Sequence, residues 1–262
     1  MIDLHNHLLP DWDDGPADAA ESLRIMEAAK ADGITRIVLT PHVFRMTRPG
    51  RDVKDLKPRI DQFLARPRPR GLELLPGAEV GYIGGLIEAI RDFGLTVNGT
   101  SYVFIEFPSR GLPDGTPDLV SRMMRNDLIP IISHPERNAV FARSPRTLYD
   151  LVKRGALGQV TAQSLTGGFG RQVHRTAVEF LELGLAHVIA SDAHNATSRP
   201  PRLSEAVAAA AQAVGPEKAT AMVTGVPEAI LADEQIPDYG EARLPASWGR
   251  KLRRVLLRQG AP

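Results

Sequence analysis

The stretch MIDLHNHLLPDWDDGP, residues 1–16, sets the reading of the whole chain. Ile2 and Leu4 bracket Asp3 and lead into His5, the pattern of a very short strand that ends in polar residues. His5 and His7 are two apart, and alternate side chains of an extended chain share a face, so both imidazoles can point at one target. An H-x-H pair alone is equally consistent with core histidines and with a metal site, so the decision rests on the remainder of the chain.

Working outward, six more apolar, β-rich segments follow: Arg36 to Thr40, Glu73 to Ala78, Tyr102 to Phe107, Ile129 to Ser133, Leu157 to Thr161 and His187 to Ser191. Helical spacing fills the intervals. Asp18-x-x-Glu21 resembles a capping box, and Gly33, Gly155 and Gly184 read as helix ends. Thr116-Pro117 and Ser144-Pro145 read as an N-cap followed by proline in the first turn. Strands alternating with helices pair in parallel through right-handed crossovers, and seven such repeats predict a closed or nearly closed α/β barrel. No glycine-rich phosphate loop follows the first strand, which argues against a dinucleotide-binding sheet. The 262 residues suit one such domain, placed at 1–243. Beyond it, 244–262 is read as a basic amphipathic C-terminal extension.

Chemistry-bearing residues gather where the strands end. His5, His7 and the acidic turn Asp11, Asp13, Asp14 follow the first, His42 the second, and Glu79 closes the third. Glu106 lies near the end of the fourth, His134 follows the fifth, and Asp192 and His194 follow the seventh; only the sixth offers no obvious ligand. Active sites of α/β barrels sit at this end. Imidazoles and carboxylates without thiolates suit Zn, Mn or Fe. Nine such groups exceed the needs of one tetrahedral ion, so two or three ions sharing a carboxylate fit better. A buried Glu106 needs a partner, for which a cation serves, and one of Asp13 and Asp14 is expected merely to make the turn before Gly15-Pro16. His174, in a helix, and His187, at a strand start, read as structural or surface residues.

Bulk properties narrow the function further. Lys plus Arg (32) nearly balances Asp plus Glu (31), and aromatics make up 5%, so no global field or stacking platform favours nucleic acid. The absence of cysteine excludes a thiolate nucleophile and sulfur-ligated metal. Neither a leader pattern nor a run of about 18 apolar residues appears, so a soluble, cytoplasmic protein is expected.

Taken together, DLHNHLLPDWDDGP, TPH, GAEV, IEFP, SHPERN and ASDAHN followed by RPP resemble the polymerase and histidinol phosphatase (PHP) superfamily. Within it they are most similar to the CpsB/CapC-like metal-dependent protein tyrosine phosphatases of bacterial capsule and exopolysaccharide loci, over about residues 1 to 235. The resemblance implies the PHP fold, a distorted seven-stranded (β/α) TIM-like barrel. It further implies three divalent ions, manganese foremost with iron or zinc as alternatives: one held by His5, His7, Glu79 and Asp192, a second by Glu79, Glu106 and His134, a third by Asp14, His42 and His194. Where many relatives with small substrates carry a histidine, Asp14 stands, as in the tyrosine phosphatase group. Arg137 and Arg199 occupy the positions of the family's phosphate-contacting arginines, and guanidinium matches phosphate geometry. Pro135, Asn138 and the spacing of the loop Val43 to Arg51 depart from better-known members.

The implied activity is hydrolysis of a phosphomonoester by metal-activated hydroxide, on phosphotyrosine in proteins such as the tail of a bacterial tyrosine kinase; a small substrate such as histidinol phosphate is the alternative, and a non-catalytic metal-binding scaffold a third. A homo-oligomer is compatible with the sequence. In the tail, Arg250, Lys251, Arg253, Arg254 and Arg258 alternate with Trp248, Leu252, Val255, Leu256 and Leu257, which reads as a docked or frayed helix, with a peripheral membrane or acidic-partner contact as the alternative.

Overall fold

Nine strands form among the described residues of the computed structural model, which are 1–238 and 240–244. They are β1 (Ile2–Asn6), β2 (Arg36–Leu39), β3 (His42–Val43), β4 (Glu73–Pro76), β5 (Glu79–Gly81), β6 (Tyr102–Glu106), β7 (Ile129–Ser133), β8 (Leu157–Thr161) and β9 (Val188–Ala190). The expected closed, seven-stranded TIM-like barrel is corrected here to a mixed α/β fold with two parallel sheets, ordered β1-β2-β4 and β3-β5-β6-β7-β8-β9. The reason lies in two prolines. Pro41 and Pro76 have no N–H to give to a ladder; beside them the second and third expected strands end, as β2 and β4, and short further strands, β3 and β5, start in the other sheet. Pairing nevertheless keeps its offset across the break, Leu39 opposite Pro76 and His42 opposite Glu79. β1 meets the segment just after β9 through the bridge Asn6 to Ala193, supported by His7 N–H to Ala193 O at 3.0 Å and Asp192 N–H to His5 O at 2.9 Å.

Both faces of the strands are buried, as parallel strands require. Phe104, Ile131, Val188 and Ala190 pack inward with Leu4 and Val38, while their neighbours Val103, Ile105, Ile132 and Ile189 join the layer under the helices. Helices Ala19–Ala31, Leu86–Phe93, Thr116–Arg125 and Arg171–Glu182 contribute Ile25, Ile90, Met123 and Phe180 to that outer layer. Asp18 caps the first, accepting from Glu21 N–H at 2.8 Å, but Glu21 does not complete the box and instead accepts from Ala196 N–H at 3.1 Å. Gly115, not Thr116, caps the helix Thr116–Arg125; Thr116 enters it and donates its hydroxyl to Pro113 O. Gly155 and Gly184 do take left-handed conformations at helix ends (φ 104° and 67°). The basic extension from Trp248 lies outside the described residues. No helix of the described residues is long and apolar enough to cross a membrane.

A bulge in β1 aims the first two histidines. Asp3 pairs with Ile37 and Asn6 with Leu39, so an extra residue sits on β1 between them. Leu4 belongs to the inner cluster, yet His5, the next residue, also faces inward, its ring 5.0 Å from that of Phe104. Simple alternation would have sent one of them out.

Candidate metal centre

Inward positions turn polar toward the strand C-termini. Glu79 stands opposite Phe104 and Gly81 opposite Glu106, and Ser133 pairs with Gln159. Short β3 brings His42, and the loops after β7 and β9 bring His134, Asp192 and His194, over the same mouth. Two of them sit in left-handed backbone, His134 at φ 32° and Asp192 at φ 52°, conformations that cost free energy and collect at functional sites.

Glu79 is the hub and is fully buried. His5, His7 and His42 approach its Oε2 at 3.3, 3.5 and 3.0 Å, and His134 approaches Oε1 at 3.1 Å. Potential ligand atoms fall into three groups, each within 4.8 Å: His5, His7 and Asp192; His42, Glu79 and Glu106; and His7, Asp14, His42 and His194. Eight of the nine expected ligands fall in these groups, and the ninth, His134, reaches Glu79 at 3.1 Å. The grouping differs in detail, since His42 reaches both Glu79 and Asp14, at 3.0 and 3.5 Å, and joins the Glu79–Glu106 group, whereas His134 meets Glu79 alone.

Hydrogen bonds choose between Asp13 and Asp14. Asp13 Oδ2 accepts from His7 Nδ1 at 2.9 Å and from His42 N–H at 2.9 Å, which fixes the proton of His7 on Nδ1 and leaves Nε2 facing the cluster. Asp14, half-exposed, turns Oδ1 to His194 Nε2 at 3.2 Å. His194 Nδ1 in turn donates to Asp192 O at 2.9 Å. Of the two aspartates, Asp13 makes the turn, its Oδ1 accepting from Gly15 N–H at 2.9 Å, and also orients the His7 ring, so Asp14 is left as the group free to bind an ion.

Charge in the cluster is strongly displaced. Burial opposes ionisation of His7, but Asp13 and then Asp192 and Glu79 outweigh it and raise its pKa well above the usual imidazole value. Burial would lift Glu79, yet the charges of His5 and His42 hold it well below the carboxylate range. Asp192 is likewise lowered against burial, by His7, Arg199 and His5. His194 moves down, through burial and the charge of His7.

Arg137 and Arg199 meet on one atom. Arg137 Nη1 and Arg199 Nη2 donate to Asp192 Oδ2 at 2.5 and 2.6 Å, while Oδ1 of the same carboxylate faces His7 at 3.4 Å. Arg137 also lies over the Phe169 ring, 4.7 Å from its centroid. Two buried polar residues escaped the sequence analysis. Gln159 accepts from His5 Nδ1 at 3.0 Å, and Glu136 Oε1 accepts from Thr161 N–H and Ser164 Oγ at 2.9 and 2.6 Å, tying the His134–Arg137 turn to β8. The available signal was a lone amide in the strand LGQVT, on the inward parity of its neighbours. His187 is structural as expected, accepting from Gly158 N–H at 3.0 Å.

Do these residues fit a cation? Both oxygens of Glu79, Oε2 of Glu106, Nδ1 of His42 and Nε2 of His194 are buried and lack a hydrogen-bond partner. Uncompensated burial of such atoms is costly, and lone pairs aimed at a common point are what a divalent ion satisfies. The donor set fits. Strand-end imidazoles and carboxylates around a shared glutamate, flanked by two arginines, define a candidate metallohydrolase centre of an α/β protein.

The chain belongs to the capsular polysaccharide synthesis CpsB/CapC family, whose sequence signature matches residues 1–232. It is similar to the putative tyrosine-protein phosphatase CapC of Staphylococcus aureus, 36% identical over 203 residues, which cover 76% of this chain and 79% of that protein. It is also similar to the tyrosine-protein phosphatase YwqE of Bacillus subtilis, 36% identical over 215 residues (79% and 82%). Among solved structures, a chain from the work on YwqE of Bacillus subtilis and CpsB of Streptococcus pneumoniae, described as unique metal-dependent tyrosine phosphatases, superposes with a TM-score of 0.83. That match has 32% sequence identity and covers 94% of this chain and all of the other.

Proposed function

We propose that the protein is a metal-dependent protein tyrosine phosphatase of capsule or exopolysaccharide regulation. The observation that carries this is Glu79, buried with four imidazoles around its two unpartnered oxygens, in a chain of the CpsB/CapC family. His5, His7, Glu79 and Asp192 would hold one ion, Glu79, Glu106 and His134 a second, and Asp14, His42 and His194 a third, with His42 near enough to Glu79 to serve the second as well. Manganese is the ion of first choice, with iron or zinc as alternatives. When bound, such ions activate water at neutral pH and neutralise phosphoryl oxygens.

This chain's own residues supply the remainder. Asp13 holds His7, and Asp192 O holds His194, each in the tautomer that presents Nε2. Arg137 and Arg199 stand beside the cluster with their Nη atoms converging, placed to take two phosphoryl oxygens as charge builds on them. With no cysteine in the chain, no thiolate nucleophile is required or offered. The substrate is a phosphotyrosine protein, a bacterial tyrosine kinase tail being the natural case, met in the cytoplasm. Whether the chain acts as a homo-oligomer does not alter the chemistry of a site built from one copy.

Elemental analysis of the purified protein, paired with hydrolysis of a phosphotyrosine peptide and of histidinol phosphate before and after chelation, tests the proposal. Expected are bound transition metal, faster turnover of the peptide, loss on chelation and recovery with Mn²⁺. Faster turnover of histidinol phosphate would move the substrate, and stoichiometric metal without hydrolysis of any phosphomonoester would leave a scaffold.

A further inference from the structure

The strand without a ligand supplies the group that orders the ligands. We infer that Gln159, at the middle of β8, is a positioning residue that fixes the tautomer of His5 and anchors the turn carrying His134 and Arg137. This rests on the metal-dependent reading above, but not on the identity of the substrate.

Gln159 is completely buried, and its Oε1 lies 3.0 Å from His5 Nδ1 and 3.2 Å from the backbone N of His134. A backbone N–H can only donate, so the amide atom facing His134 has to be the oxygen. The same oxygen then faces His5, whose Nδ1 therefore carries the proton. His5 Nε2 is left with its lone pair directed at the cluster, 3.2 Å from His7 Nε2 and 3.3 Å from Glu79 Oε2. Rotating the amide would set an NH₂ against the His134 N–H, donor against donor, so the orientation is locked. The other end of the side chain, Nε2, is buried and has no hydrogen-bond partner. A residue that leaves one polar atom unsatisfied in order to place another is retained for that other atom.

His134 adds the second half of the argument. Its left-handed backbone (φ 32°) starts the turn Pro135–Arg137, and the N–H held by Gln159 lies at the root of that turn. One oxygen thereby links a ligand on β1 to a ligand and an arginine beyond β7. Orienting partners of metal-bound histidines act through the ring they hold, typically with about 10–100-fold effects on affinity or activity.

Two substitutions and one spectrum test this. Gln159→Leu keeps the size and removes the acceptor, and Gln159→Glu keeps the acceptor oxygen, with a second, ionisable oxygen in place of the unpartnered amide nitrogen. Binding of Zn²⁺, followed by competition with a chelator, is expected to weaken by about 10–100-fold in Gln159→Leu and to stay within roughly threefold of wild type in Gln159→Glu. In the zinc-loaded wild-type protein, ¹⁵N resonances of His5 are expected to show the proton on Nδ1 and the metal on Nε2. A proton on Nε2 overturns the inference, as does unchanged zinc affinity in Gln159→Leu or no rescue by Gln159→Glu. Should Gln159→Leu fail to fold, the spectrum of the wild type decides alone. Zinc binding that depends on Gln159 in a protein inert toward phosphotyrosine would sink the proposed activity and leave this inference standing.

Discussion

Replacing Arg137 by alanine separates binding of the phosphoryl group from construction of the metal centre. The guanidinium donates to Asp192 Oδ2 at 2.5 Å and lies over Phe169. Its removal does not strand the carboxylate, because Arg199 remains on the same oxygen at 2.6 Å. With Arg137 about a third exposed (30%), the lost pair and ring contact should cost no more than about 1 kcal/mol of stability. The loss in the transition state is larger. A preorganised donor to developing oxyanion charge contributes about 3 kcal/mol, so kcat/KM on a phosphotyrosine peptide should fall by roughly 10²-fold or more at saturating Mn²⁺. Arg137→Lys should recover part of this, since it restores the charge but not the two-pronged donor. Metal content by elemental analysis and the thermal unfolding midpoint should stay near wild type. Full activity in Arg137→Ala refutes the phosphate role, and metal lost in step with activity means that Arg137 serves to hold Asp192 instead.

Two further outcomes follow from particular contacts. Asp14→Asn should lower the number of bound ions per chain, whereas Asp13→Asn should retain that number and weaken affinity about tenfold through a loosened His7, as titration with Mn²⁺ and elemental analysis would show; the reverse pattern would make Asp13 the ligand. Burial, with the Lys218 charge, pushes the His187 imidazole down to about 4 from its ordinary 6.5. The unfolded chain therefore takes up this proton first as pH falls, so the His187 contribution is complete above 6.5 and is lost between 6.5 and about 4, at up to about 1.4 kcal/mol per pH unit. Urea unfolding across that window should show a shallower slope for His187→Gln than for wild type, and equal slopes would mean that His187 is charged in the folded protein.

Much of the site was legible because its residues follow strands. His42, Glu79, Glu106, His134, Asp192 and His194 each sit at the polar end of an apolar segment, and that periodicity survives without any contact information. The split into two sheets was not legible in the same way, because Pro41 and Pro76 read as strand ends and turn formers while their effect on ladders to neighbours depends on pairing. The bulge in β1 was hidden for a related reason: it exists only relative to Ile37 and Leu39 on the partner strand. The orienting role of Asp13, and Gln159 altogether, were missed because orienting groups announce themselves by partners far along the chain, His42 N–H for one and His5 for the other. Asp13 also resembled an ordinary turn former.

Sharing of one carboxylate oxygen by two arginines has a consequence for turnover. In the proposed reaction an arriving phosphoryl group would compete with Asp192 for Arg137 and Arg199, and inorganic phosphate, once freed, would face the same internal rival. On the proposed function, Asp192 would act as a resident stand-in that keeps both guanidiniums extended between reaction cycles and would hasten the departure of product.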